Sequence, residues 1–152
     1  MSLQEDVERL RSIPLFAKID PSKLKLLAFT AQRLTFNTGE SLFQQGDIGD
    51  AAYIITDGTA DVVKASPAGP ITVAKVGANA FVGEIAILCD VPRTATITAT
   101  STLTTIRIDK DTFFRLVSQF PQISVEIMRV LAHRLEDTNN QLLDAVSKLK
   151  AQ

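Results

Sequence analysis

Fifteen residues near the middle of the chain carry side chains whose order asks for a ligand. They read Phe81-Val82-Gly83-Glu84-Ile85-Ala86-Ile87-Leu88-Cys89-Asp90-Val91-Pro92-Arg93-Thr94-Ala95. Gly83 precedes a short apolar, helix-favouring stretch. A glycine there lets a ligand approach open backbone N–H groups, and a helix N-terminus favours an anion. Arg93 follows a proline, and an arginine held in that way can give a phosphate two parallel hydrogen bonds. Glu84 cannot favour a phosphate in the same pocket. It must accept hydrogen bonds from neutral donors such as a sugar hydroxyl. The segment therefore asks for one phosphate and one sugar on a single ligand.

The same residues have plainer readings. Glu84 and Arg93 also fit a surface ion pair, worth about 0–1 kcal/mol. Thr94 also fits a strand-edge hydroxyl. Cys89 reads as a small packing residue or an idle thiol, because no neighbouring base would activate it. His133 reads as a solvated or packed helix residue. Asp47, Asp50 and Asp57 are turn-formers, and their spacing does not match a calcium loop.

Three zones must position this segment. Residues 1–30 are expected to be helical. Leu3, Val7 and Leu10 recur at helical spacing, Pro14 breaks the pattern, and Asp20-Pro21 reads as an N-cap with proline at the first helical position. Residues 31–108 read as β, with short branched and aromatic runs divided by turn residues. Asp57-Gly58 between two such runs predicts a two-residue hairpin. Within this zone, 81–95 is expected not to be strand. Residues 109–152 return to helix. Asp109 is expected to cap one helix, and a second runs from Phe120-Pro121 towards Gln152, roughly 45 Å at 1.5 Å per residue.

Composition removes several function classes. A chain of 152 residues, 45% hydrophobic and 22% charged, fits one domain that can fold without staples. Cys89 and His133 are the sole cysteine and histidine. That excludes an intrachain disulfide, a four-cysteine cluster and a metal centre of several histidines, so no metal is expected. A formal net charge of −1 gives no broad footprint for nucleic acid or an anionic membrane. No run of 18 apolar residues exists. The opening Met1-Ser2-Leu3-Gln4-Glu5-Asp6 lacks the basic start and apolar core of a secretory signal, so a cytoplasmic protein is expected.

The segment resembles the phosphate-binding cassette of cyclic nucleotide-binding domains. The likeness rests on Gly83-Glu84, on Pro92-Arg93-Thr94-Ala95, and on the spacing of nine between the glutamate and the arginine. Gly39-Glu40-Ser41-Leu42-Phe43-Gln44-Gln45-Gly46-Asp47, Tyr53-Ile54-Ile55 and Leu10-Arg11-Ser12-Ile13-Pro14-Leu15-Phe16 extend it over nearly the whole chain. The resemblance implies a mostly β fold with flanking α: an eight-stranded antiparallel jelly-roll barrel, N-terminal helices and a long C-terminal helix. It implies that Glu84 accepts from the ribose 2′-hydroxyl and Arg93 pairs with the cyclic phosphate. Val82, Gly83, Ile85, Ala86, Thr94 and Ala95 would line the same pocket. Thr94 suits either nucleotide, with cAMP expected ahead of cGMP.

The last helix carries an apolar stripe of Ile127, Leu131, Leu135, Leu142, Ala145 and Leu149. It fits packing along its own barrel or a seam with a second copy. Arg134-Leu135-Glu136-Asp137-Thr138-Asn139 is similar to a pattern in regulators related to catabolite activator protein. There the position matching Thr138 meets the base, and the next approaches the partner's nucleotide. Arg134, Thr138 and Asn139 are thus a candidate base cap. The residues after Pro121 are used by the helix itself, so no helix-turn-helix is expected from them.

These readings converge on a cytoplasmic sensor of cAMP or cGMP, without catalysis or cofactor. A homodimer through the last helix is expected, and neither nucleic acid nor membrane is expected to bind this chain. Two further classes stay open. One is a protein-interaction module of the same fold without ligand, or a sensor domain of a larger transcription regulator or channel. The other is an enzyme on a similar barrel, such as a cupin, which calls for several metal-binding histidines.

Overall fold

The computed structural model describes residues 3–151. Among these, five α-helices and eight strands follow one another. They are α1 (Leu3–Arg11), a 3-10 turn (Pro14–Phe16), α2 (Pro21–Thr30), β1 (Gln32–Phe36), β2 (Ser41–Phe43), β3 (Ala51–Asp57) and β4 (Ala60–Lys64). Then come β5 (Ile71–Val76), β6 (Phe81–Val82), α3 (Glu84–Cys89), β7 (Thr96–Ala99), β8 (Leu103–Asp109), α4 (Lys110–Gln119) and α5 (Pro121–Lys150). The expected caps form. Asp20 Oδ1 accepts from the Ser22 N–H at 3.0 Å, and Asp109 Oδ1 accepts from the Thr112 N–H at 2.8 Å. Each satisfies an amide donor that the first helical turn leaves without a partner.

The strands form two four-stranded antiparallel sheets, ordered β1-β8-β3-β6 and β2-β7-β4-β5. They do not close into the expected barrel. β1, β6, β2 and β5 each keep a single hydrogen-bonded neighbour, and β6, at two residues, is too short to carry a ladder from one sheet to the other. β6 itself lies inside the segment expected not to be strand. The chain is mixed rather than mostly β: α5 alone has 30 residues, and the helices together hold more residues than the strands.

Asp57-Gly58 is not a hairpin turn. β3 pairs with β6 and β8, whereas β4 pairs with β5 and β7, so the chain crosses between sheets at this point. The dipeptide fixes a change of direction, but the faces that β3 and β4 must bury decide their partners.

The period of two along β3 builds both cores. Ala52 and Ile54 join a cluster with Leu10, Phe16, Leu24, Phe113 and Ile123 from the helices. Ala51, Tyr53 and Ile55 point the other way, into a cluster between the sheets with Leu42, Ile97 and Leu103. β3 is therefore buried on both faces, the position from which both sheets and the helical layer can be held.

The apolar stripe of α5 divides between two faces. Ile123 and Ile127 are buried and Leu131 packs against the same core. Leu135, Leu142 and Leu149 are exposed, and Met128 joins them at seven-residue spacing. Among the described residues, no helix is long and apolar enough to cross a membrane.

The Asp109 cap should contribute about 1 kcal/mol, so Asp109→Ala should lower the urea-denaturation free energy by that amount at neutral pH. The Thr112 hydrogen bond holds the Asp109 carboxyl below its ordinary value of 3.8. The contribution is therefore present above that value and should vanish as pH falls through the depressed one.

Candidate functional site

β6 delivers the ligand-seeking segment to its place by pairing Val82 with Tyr53 and Phe81 with Ile54. Gly83 follows in the left-handed region, with φ +85. A Cβ there would also lie 2.7 Å from Arg93 Nη1, so both conformation and close approach call for glycine. α3 then packs against β3. It buries Ala86 and Ile87 while Ile85 and Leu88 stay exposed. Asp90 ends the helix with its own N–H on the Ala86 carbonyl. The return strand is stitched to the loop between β2 and β3. The Arg93 N–H donates to Asp47 O at 2.8 Å, and the Gly46 N–H donates to Arg93 O at 2.9 Å.

Glu84 and Arg93 are 2% and 3% exposed, which overturns the surface ion pair. They also take different partners. Arg93 Nη1 donates to Gly83 O at 2.9 Å and Nη2 donates to Ala51 O at 2.7 Å. The Phe43 ring lies 4.0 Å from its Cζ. Burial pulls the Arg93 guanidinium below its ordinary value, against the nearby Tyr53, Asp50 and Asp47. Glu84 Oε1 instead receives Arg134 from α5, and the other end of the same guanidinium donates to the Phe81 carbonyl. Burial pushes the Glu84 carboxyl above its ordinary value of 4.5, and Arg134 pulls it part of the way back.

A cavity of about 680 Å³ opens on these groups. Val82, Gly83, Glu84, Ile85, Ala86, Arg93, Thr94 and Ala95 all line it, and Arg134 and Thr138 join from α5. Asn139 does not. It is exposed and outside the lining, because the helix turns it about 100° away from Thr138. Asp137 and Gln141 also line the cavity. Their spacing of three and seven from Arg134 is a helical-face signal that the sequence offers without any family pattern. Phe43 also lines the cavity. No spacing rule points to it, because its partner Arg93 lies fifty residues on. Thr94 is half-buried, Thr138 Oγ1 donates to the Arg134 carbonyl at 2.8 Å, and Cys89 and His133 are exposed.

Comparison with known proteins gives the same answer. The sequence pattern of the cyclic nucleotide-binding domain matches residues 33–120. The chain is 31% identical over 140 residues to a CRP-like cAMP-activated global transcriptional regulator of Mycobacterium tuberculosis, covering 91% of this chain and 62% of that protein. It is 31% identical over 120 residues to a cAMP-dependent protein kinase regulatory subunit of Schizosaccharomyces pombe, covering 79% of this chain and 27% of that one. The chain thus spans less than two thirds of either relative. Among solved structures, a cyclic nucleotide-binding domain from Methylobacillus flagellatus KT superposes with a TM-score of 0.78 at 25% identity. That match covers 93% of this chain and 82% of the other.

The raised Glu84 value has a consequence for the ligand-free protein. A folded state that holds the proton more tightly than the unfolded state loses stability as pH rises above about 4.5 through the raised value. Glu84→Gln has no such dependence. Its stability relative to the parent chain, read from urea melts, should therefore grow between that pH and neutrality. A difference that shrinks would show that ionised Glu84 stabilises the fold.

Proposed function

Because the chain belongs to the cyclic nucleotide-binding domain family, we propose that it is a non-catalytic sensor whose preferred ligand is cAMP rather than cGMP. One observation carries this reading: a buried carboxylate and a buried guanidinium, with different partners, face one cavity. Glu84 accepts from the ribose 2′-hydroxyl. Arg93 supplies the counter-charge to the cyclic phosphate, with Thr94 and the Ala95 backbone beside it. The apolar wall from Val82, Ile85 and Ala86 takes the remaining surface. The preference for cAMP draws support from the two curated relatives, whose names specify cAMP.

Arg134 couples the site to α5. Its guanidinium spans the Glu84 carboxylate and the Phe81 carbonyl, so any hydroxyl that bonds Glu84 competes for, or rearranges, the same acceptor. Ligand then biases the position of α5 by its differential affinity for the two arrangements, on the order of 1–3 kcal/mol. Thr138, one turn further on, lies where the base would meet the helix.

The output passes to a second copy. Met128, Leu135, Leu142 and Leu149 repeat every seven residues and are 65%, 63%, 62% and 70% exposed. Ala145 falls three residues after Leu142 and four before Leu149, a 3-4 repeat in the far half of the helix, while Leu131 and Thr138 keep the same spacing but border the domain core and the cavity. Such a seam is the pattern of a two-stranded coiled coil, and a two-fold interface needs one self-complementary surface. Arg134 flanks the seam while holding Glu84, so the nucleotide and the partner helix act on one side chain. Residence in the cytoplasm is part of the same proposal.

Ligand at 100 times its dissociation constant should stabilise the chain by about 2.7 kcal/mol, a thermal shift of roughly 5–10 °C. Arg93→Ala should cost about 2–4 kcal/mol of cAMP affinity by calorimetry. No shift with millimolar cAMP or cGMP would favour an interaction module without ligand.

The seam is tested separately. Light scattering of the parent chain should give twice the monomer mass, and Leu142→Glu with Leu149→Glu should reduce it to one, by placing charge in an apolar contact. A parent chain monomeric at about 100 μM, well above the micromolar range of weak complexes, leaves α5 as a cover for its own cavity.

A further inference from the structure

The guanidinium of Arg93 is crowded by a ring and by backbone as well as held at its ends. Cζ lies over the Phe43 ring, 4.0 Å from its centroid. On the Gly49 side, a Cβ added to that residue would come within 3.4 Å of both Cζ and Nε, and would collide with the Ala86 side chain. Gly83 O and Ala51 O take the terminal nitrogens. An aromatic ring and a bare stretch of backbone thus both lie close against the guanidinium. Nε has no hydrogen-bond partner among the described residues.

Local structure explains how Phe43 comes to lie against Arg93. The register of β2 against β7 shifts between Ser41 and Phe43. In a regular strand Leu42 and Phe43 would face opposite sides. With the irregularity, Leu42 is in the core between the sheets and Phe43 also packs against that core. The Tyr53 ring, 5.8 Å away and tilted by 39°, backs Phe43. A ring whose negative face meets a desolvated cation attracts and restrains it.

We propose that Phe43 is a positioning residue for anion capture: it restrains the Arg93 guanidinium, with the close backbone at Gly49 leaving it little room, so that the cation meets the ligand's phosphate already oriented. This rests on the cyclic-nucleotide reading above and adds to it a residue that never needs to touch the ligand. An oriented cation acts on the phosphate alone, so loss of the ring should weaken phosphate-dependent affinity and spare the nucleoside.

The test is calorimetric titration with cAMP and with adenosine, which lacks the phosphate. Phe43→Leu should weaken cAMP binding about 5- to 30-fold, the range of a desolvated cation–π contact, with adenosine affinity unchanged. Phe43→Tyr should restore cAMP binding. Phe43→Met, which keeps bulk without a ring, should behave as Phe43→Leu and serves if that variant folds poorly. In an Arg93→Ala background, Phe43→Leu should have no further effect on cAMP. Equal losses for cAMP and adenosine, or unchanged cAMP affinity in Phe43→Leu and Phe43→Met, would overturn the positioning role while leaving the sensor intact. A parent chain that binds no cAMP would overturn both.

Discussion

A carboxylate buried to 2% exposure cannot stand without compensation, and Glu84 receives its contacting counter-charge from a residue fifty positions away, Arg134 on α5. Removing an ionised carboxylate from water costs several kcal/mol even after relaxation, and an unpaired one would neutralise itself. The fold therefore has to bring α5 to the mouth of the cavity. Everything that holds α5 there serves this pair: Ile123 and Ile127 in the core, and the Pro14–Phe16 turn packed against the helix. The pair is thus a constraint on the architecture as well as a feature of the site.

Arg93 meets the same problem by another route. Two carbonyls, a ring and a glycine backbone surround it, and its compensation comes entirely from the cassette and from β2, β3 and the loop between them. The two charges take separate contacts, yet they still act on each other: Arg93 helps to lower the Glu84 carboxyl. The cation sits among residues of the cassette, β2 and β3, whereas the carboxylate, on α3 of the same cassette, is also tied to a helix whose far half is exposed. A ligand bridging the two groups would therefore meet α5 on the Glu84 side, through Arg134.

Much of this was legible in residue order, because it depends on neighbours. The Asp20 and Asp109 caps, the glycine at the turn into α3, and the carboxylate and arginine of one segment all follow from short-range chemistry. What was not legible depends on packing at long range. Asp57-Gly58 reads as a hairpin, yet the faces of β3 and β4 send them to different sheets. Counting strands predicts closure, but the two-residue β6 cannot provide it. The α5 stripe mixes residues that face the domain, such as Ile127, with residues that face away, such as Leu142, because 3-4 spacing alone does not say which side the domain occupies. Asp137 and Gln141 line the cavity because helical geometry puts them on the face of Arg134.

The central claim is that the Glu84–Arg134 pair joins the cavity to α5. Hydrogen–deuterium exchange along residues 127–142, with and without saturating cAMP, tests it most directly, compared between the parent chain and Arg134→Gln. The account predicts that cAMP changes amide protection along this stretch in the parent chain, and that the change is lost in Arg134→Gln although the variant is saturated. The same ligand-dependent change in both proteins would contradict it.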